Sequence, residues 1–182
     1  MQQPLLNPEP PPGQEEKVAG IFAMLEAQMG FVPDGLRLYA ISPPLLESFL
    51  RAVGYFSSES PLGPKLAAMI RYLVSYRAGC TFCIDLNEAF LSGMGLDLDS
   101  LRAARRDPDA APLEPRELPL LRLALQAVSE PDAVNAEELE NARRAGWDDR
   151  AIFDAVAIAT SNSAFNLMLR TFKVEHQGVF AA

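Results

Sequence analysis

The stretch SYRAGCTFC, residues 75–83, joins the end of one predicted helix to the start of the next. Gly79 stands where helices commonly end in a left-handed residue, and Cys80 follows it directly. Upstream, apolar residues recur at helical spacing after Gly63-Pro64, and downstream the same spacing continues to Gly93. Two consecutive helices are therefore predicted to meet at this stretch.

Helical spacing of apolar residues continues through most of the chain in both directions. Prolines and polar caps predict helix starts, as at Ser42-Pro43 and at Asn135 with Glu138, and Gly30 and Gly146 predict stops. The predicted helices cover about 18–29, 42–53, 63–79, 80–93, 97–106, 118–128, 135–146 and 148–171. No alternating strand pattern is present, and Asp34-Gly35 is expected in a loop. The sequence predicts an all-α fold of eight or so helices.

The domain organisation follows from length and from the proline distribution. A chain of 182 residues suits one domain. Five prolines fall within residues 1–13, and proline fixes φ and offers no backbone donor. We predict a flexible or polyproline-like tail over residues 1–13 and one multi-helix bundle domain over residues 14–182.

Charge and composition exclude several function classes. Sixteen Lys and Arg residues against 24 Asp and Glu residues give a net charge of −8, with no basic stripe for nucleic acid or an anionic membrane surface. No apolar run reaches the roughly 18 residues that span a bilayer, and the N-terminus does not read as a signal peptide. Two cysteines make no disulfide framework. We expect a cytoplasmic protein with no nucleic-acid or membrane partner.

Cys80 and Cys83 form the one motif that predicts chemistry. Residues three apart on a helix share a face about 5 Å apart, which a disulfide can bridge. Unpaired N–H groups at a helix start favour a thiolate, and Arg77 could add positive potential. Asn87 falls on the same face. The spacing therefore favours a redox dithiol.

Other interpretations of the cysteine pair remain open or are disfavoured. Two buried, inert cysteines would have the same spacing, because free cysteine is among the most buried residue types. A zinc site needs about four ligands, whereas the chain offers two cysteines and the distant His176, so no metal is expected. A thioredoxin-like site would need a βαβ pattern. No phosphate-binding glycine motif is present, and no cofactor is expected.

The stretch around Cys80 and Cys83, followed by a helix to Gly93, resembles the core of the AhpD-like alkylhydroperoxidase and carboxymuconolactone decarboxylase superfamily. The flanks at residues 30–33 with 42–46, and at residues 146–155 with 162–166, are similar to its peroxidase-related branch. The resemblance covers about residues 30–171. It implies an all-α fold and assembly into homo-oligomers, as dimers, trimers or hexamers.

The resemblance also implies roles for individual residues. Cys83 would attack a small hydroperoxide, Cys80 would resolve the product to a disulfide, and an external dithiol would restore the pair. The positions of the family's proton relay, a glutamate and a histidine, hold Ala68 and Asn87. Because neither side chain exchanges protons at neutral pH, a weak peroxidase or disulfide reductase is expected.

Two alternatives to this enzyme stay open. A family member without its relay could act as a redox-responsive or structural oligomer, which Ala68 and Asn87 favour and the retained cysteines oppose. Decarboxylase-like chemistry on a small lactone would need a protic group, and His176 is the only histidine.

Overall fold

The helices begin and end at residues whose local chemistry the sequence displays. The computed structural model describes residues 5–174, which contain nine α-helices, three short 3-10 helices and no strand. The all-α prediction is confirmed. The α-helices are α1 (Glu15–Met29), α2 (Asp34–Arg37), α3 (Pro43–Ser58), α4 (Pro64–Ala78), α5 (Thr81–Gly93), α6 (Leu98–Ala104), α7 (Leu118–Ser129), α8 (Ala136–Arg144) and α9 (Asp149–Thr171).

Caps and stops account for most of these boundaries. Gly79 ends α4 with φ +64, a left-handed conformation that glycine adopts without steric cost. Asn135 and Glu138 form a reciprocal capping box at the start of α8. Ser42 differs from expectation, because α3 begins after it without a side-chain cap hydrogen bond. The proline that follows Ser42 fixes a helical φ and accounts for that start.

The core centres on α4 and α9. Helix α4 packs against α5, α7 and α9, and nine of its residues are buried. Helix α9 is long and apolar enough to cross a membrane by length and composition. Its most apolar window of 18 residues has a mean hydropathy of 1.3. Half of that window is buried inside the fold, as is usual for the central helix of a soluble bundle.

Helix α9 also holds α3 in place through a buried carboxylate. Asp154 is 3% exposed, and its Oδ2 accepts hydrogen bonds from Tyr55 Oη at 2.8 Å and Ser60 Oγ at 2.7 Å. Buried carboxylates are stable only when such partners replace water. The position of α3 matters because this helix forms one wall of the site described below.

The segment around Asp34-Gly35 was expected to be a loop, and this expectation is wrong. It forms α2 and continues into a 3-10 helix, Leu38–Ile41. A Cβ atom on Gly35 would lie 3.0 Å from carbon atoms of both Phe82 and Phe165. Tertiary packing against α5 and α9 therefore orders a four-residue helix that has little stability of its own.

The first and last described residues lie close to each other at the end of α9. The Leu5 amide donates to the Phe172 carbonyl at 2.9 Å, which joins the start of the described chain to the end of α9. His176 lies outside residues 5–174, as do residues 1–4 of the proline-rich segment.

Candidate functional site

Cys80 and Cys83 lie together where α5 begins. Cys80 is the N-cap residue in an extended conformation, and its amide donates to the Ser75 carbonyl at 3.1 Å across the Gly79 turn. Cys83 lies in the first turn of α5. Both are free thiols, 1% and 2% exposed. The two thiols are therefore neighbours at the start of α5 and are not joined by a disulfide.

The two thiols differ in acidity because a hydrogen bond connects them. The thiol and backbone N–H of Cys83 donate to the Cys80 sulfur and lower the pKa of Cys80, outweighing its burial, and Arg170 adds a smaller favourable charge. The same hydrogen bond raises the pKa of Cys83, and burial raises it further. When the reduced pair loses its first proton, the negative charge is therefore favoured on Cys80. The helix start activates the first cysteine, whereas the resemblance gives the attacking role to the second.

The positive charge near the thiols comes from a residue other than the one expected. Arg77 is exposed, and its Nη1 donates to the Leu125 carbonyl at 3.3 Å, toward α7. Arg170 of α9 donates to the Ala78 carbonyl at 2.7 Å, near the end of α4. The sequence suggested Arg77 because it is close to the cysteines along the chain. Arg170 is the arginine that acts on Cys80, because the fold brings α9 next to the cysteines.

A cavity of about 400 Å³ reaches Cys83, and Cys80 is not among its lining residues. Helices α1, α3, α4, α5 and α9 all contribute to it. Its walls are mostly apolar and include Met24, Leu25, Met29, Leu36, Phe49, Leu50, Phe82, Leu86, Phe90 and Phe165. This volume suits a small organic molecule. Cys83 thus borders the cavity although only 2% of its surface is exposed.

Besides Cys83, five polar residues line the cavity. They are Gln28, Ser57, Arg71, Asn87 and Asn162. The Arg71 Nε donates to Asn87 Oδ1 at 3.3 Å, and Asn87 Nδ2 donates to the Cys83 carbonyl at 2.7 Å. Asn87 therefore joins the arginine to the backbone of the cysteine.

The two positions that the resemblance matches to the family's proton relay hold no side chain that exchanges protons at neutral pH. Ala68 is fully buried and does not line the cavity. Both ends of the Asn87 amide are engaged by hydrogen bonds, and an amide cannot take up a proton at neutral pH. Tyr72 accepts a hydrogen bond from Arg105 Nε at 2.7 Å and does not line the cavity. Among the described lining residues there is no carboxylate and no imidazole.

A polar cluster of Ser75, Asn162 and Asn166 lies beneath Cys83, between α4 and α9. Asn162 Nδ2 donates to Ser75 Oγ at 3.0 Å and to the Arg71 carbonyl at 3.1 Å. The Ser75 hydroxyl hydrogen-bonds to the Cys83 sulfur and partly offsets the rise in the pKa of Cys83. Asn166 Nδ2 is buried and has no hydrogen-bond partner in the described chain.

Sequence reasoning missed Arg71 and the role of this polar cluster. A signal was present: Arg71 interrupts an apolar helix, and two asparagines recur four residues apart within the apolar α9. Within residues 5–174, no group of three or more His, Cys, Asp or Glu side chains is arranged to hold a metal ion.

Comparison with known proteins identifies the fold. No family model matches the sequence, and a search of curated proteins finds no match. An uncharacterised peroxidase-related protein from Silicibacter sp. TM1040 is similar over 95% of this chain and 91% of its own, with a TM-score of 0.85 and 20% identity. A peroxidase-related protein with an alkylhydroperoxidase AhpD core, from Ralstonia eutropha JMP134, matches 98% of this chain and 93% of its own, with a TM-score of 0.82 and 20% identity.

A third solved structure is that of a Cys-to-Ala variant of the debrominase Bmp8 in complex with 2,3,4-tribromopyrrole. It is similar over 94% of this chain and 92% of its own, with a TM-score of 0.74 and 17% identity. Proteins of different chemistry therefore share this architecture. These likenesses show that the chain has the all-α fold of the AhpD-like peroxidase-related proteins.

Proposed function

We propose that the protein is a thiol-dependent peroxidase of small organic hydroperoxides, with disulfide reduction as the related activity of the same cysteine pair. The observation that carries the proposal is the position of Cys83, which faces a cavity of ligand size while hydrogen-bonded to Cys80 behind it. A second thiol within reach of the first is what disulfide formation requires. A reducing cytoplasm, where an external dithiol can restore the pair, suits this chemistry.

The reaction consumes both thiols. The Cys83 thiolate attacks one peroxide oxygen, the O–O bond breaks, and an alkoxide leaves and takes up a proton to become the alcohol. Cys83 is then a sulfenic acid. The Cys80 sulfur attacks the Cys83 sulfur and releases water, so two thiols and ROOH give a disulfide, ROH and H2O. An external dithiol reduces the disulfide and is itself oxidised.

Cys80 also supplies the base that the relay positions lack. In the singly deprotonated pair the negative charge is favoured on Cys80, which accepts the hydrogen bond from the Cys83 thiol. Transfer of that proton along the existing hydrogen bond creates the Cys83 thiolate at the cavity. The raised pKa of Cys83 makes this form scarce, so the expected turnover is slow. Cys80 therefore acts twice, first as the base for Cys83 and then as the resolving thiol.

Single-turnover oxidation of the reduced protein by cumene hydroperoxide tests the proposal. We expect one equivalent of peroxide to be consumed and one intramolecular disulfide to form. The Cys80→Ser variant should stop at a sulfenic acid on Cys83, which dimedone traps and mass spectrometry locates. The Cys83→Ser variant should lose at least about tenfold in the rate of peroxide consumption.

The structural alternative makes the opposite prediction for the same samples. If the cysteines only fill the core, both thiols of the native protein should resist alkylation and peroxide alike. Equal peroxide consumption by the parent and the Cys83→Ser variant would remove Cys83 from the reaction and contradict the proposal.

Reductive dehalogenation is a second candidate, favoured by the aromatic walls around Cys83. Four aromatic side chains line the cavity, those of Phe49, Phe82, Phe90 and Phe165. The structurally similar debrominase variant was solved in complex with a brominated pyrrole. The balanced reaction takes R–Br and two thiols to R–H, a disulfide and HBr. Bromide release from a bromopyrrole by the reduced protein, without peroxide, separates this candidate from the first.

A further inference from the structure

Among the described residues, one charged side chain lines the cavity at Cys83, and no carboxylate of residues 5–174 forms an ion pair with it. Among the described lining residues Arg71 is the charged one, and the others are apolar or neutral. Its Nε donates to Asn87 Oδ1, while no ion pair involves Arg71 anywhere in the described chain. The terminal N–H groups of its guanidinium are therefore available to a ligand.

This arrangement is unusual for a buried arginine. The surrounding protein desolvates the guanidinium and lowers the pKa of Arg71, although the side chain keeps some exposed surface because it borders the cavity. Taking a charge out of water is costly unless a counter-charge or several hydrogen bonds replace the water. Arg105, by comparison, is also partly buried in this protein, and it pairs with Glu88 at 2.9 Å.

Two neighbours fix the position of Arg71. Asn87 accepts from its Nε at 3.3 Å, and Asn162 donates to its backbone carbonyl at 3.1 Å. Asn87 therefore holds the side chain against α5, and Asn162 holds the backbone of Arg71 against α9, on the same cavity that Cys83 lines. A planar guanidinium held from one edge presents its remaining donors in the fork geometry that matches a carboxylate.

We propose that Arg71 is an anion-binding residue and that the cavity takes small apolar or aromatic ligands bearing a carboxylate or a comparable anionic group. The apolar walls bind the hydrocarbon part, and Arg71 binds the charge and orients the ligand beside Cys83. This rests on the cavity of the proposed function and names the substrate class for it. Anion binding itself requires no thiol chemistry.

Calorimetry with two matched probes tests the proposal on the reduced, full-length protein in the absence of any oxidant. 2-Naphthoate and 2-naphthamide share shape and apolar surface and differ in charge. We expect the acid to bind at least about tenfold more tightly than the amide, as for a charge-assisted hydrogen bond in a desolvated site. Arg71→Gln should abolish this preference, and Arg71→Lys should retain part of it.

Arg106→Gln is the matched control, because Arg106 is exposed, does not line the cavity and carries the same charge. It should keep the full preference for the acid. Equal binding of the two probes to the parent, no binding of 2-naphthoate, or an undiminished preference in Arg71→Gln would each overturn the proposal. The parent comparison stands even if Arg71→Gln fails to fold. Because no oxidant is present, an inactive dithiol leaves the result unchanged, and the two proposals fail separately.

Discussion

At the scale of single residues, the two cysteines of the pair differ in how well each stabilises a negative charge. Cys80 is the N-cap residue and receives two hydrogen bonds from Cys83, so its pKa is lowered while that of Cys83 is raised. Reduced pairs of this kind lose their first proton at a lower pH than an isolated thiol and hold the second proton firmly. The Cys80 thiolate then depends on Cys83, and the reactivity of Cys83 depends on Cys80.

The pH dependence of peroxide oxidation checks this arrangement. Because the first ionisation of the pair is favoured, the oxidation rate of the reduced parent should rise with pH and level off below the ordinary thiol pKa of about 8.5. In Cys80→Ser, burial still raises the pKa of Cys83 and no internal base remains. Its rate should keep rising above that pH.

Thr81→Ser is the control for this measurement, because Thr81 lies between the cysteines and is exposed. Its pH profile should coincide with that of the parent. A Cys80→Ser profile with the parent's midpoint would show that Cys80 is not the base, and would contradict the proton transfer proposed here.

At the scale of elements, the short helix α2 is held by close packing against the cysteine helix. Gly35 of α2 lies so near Phe82 and Phe165 that a Cβ atom would be 3.0 Å from each ring and 3.2 Å from Leu169. Contacts this short require neighbouring groups to move. At Gly35, α2 therefore packs directly against α5, the helix that carries Cys83, and against α9.

The Gly35→Ala variant measures this packing. We expect it to lower the free energy of unfolding by about 1–3 kcal/mol, the usual cost of overfilling a well-packed region. Urea denaturation followed by circular dichroism gives the value. Gly20→Ala is the control, because Gly20 lies within α1 with no atom close to its Cβ position, and there alanine should be neutral or stabilise the helix by up to about 1 kcal/mol. A Gly35→Ala variant as stable as the parent would contradict the close approach.

Local chemistry explains which elements the sequence could predict. The end of α4 at Gly79, the capping box at Asn135 and the shared face of Cys83 and Asn87 each depend on residues a few positions apart. Helix α2 could not be predicted, because its order comes from Phe82 and Phe165, which are distant in the chain.

The candidate site could be predicted in part, for the same reason. The cysteines and Asn87 occupy one helix, so helical geometry brings them together. Arg71 and Asn162 are 91 positions apart, and only the packing of α4 against α9 joins them. Which thiol is the more acidic also escaped prediction, because it depends on the hydrogen bond between the two sulfurs.

At the scale of the whole molecule, α9 has an outer face as well as a buried one. Phe153 is 71% exposed and Leu167 is 57% exposed, and the two lie four helical turns apart on similar sides of the helix. Exposed apolar side chains mark contact surfaces between proteins when they form a continuous patch. We propose that copies of the chain associate through this face.

Light scattering coupled to size-exclusion chromatography tests the association. We expect the parent to elute as an oligomer and Phe153→Glu to shift toward the monomer, because a buried unpaired carboxylate opposes contact. Thr160→Glu adds the same charge at an exposed position on α9 and lies between the two apolar residues, so it should weaken association as well if the contact is continuous. Glu137→Gln, at an exposed position of α8, is the control away from this face and should leave the oligomer unchanged. A monomeric parent would refute the association.

Helix α1 closes one side of the cavity and belongs to a separate, smaller apolar cluster. It contributes Met24 and Met29 to the lining, and it packs through Leu25 onto Val32 and Leu36, apart from the main core and from the cluster that contains the cysteines. An exposed ion pair between Lys17 and Glu47 also connects α1 to α3. The wall that limits the size of a guest and the wall that carries the reactive thiol therefore belong to different apolar clusters, so residues of α1 can vary in size without disturbing the alignment of the two sulfurs.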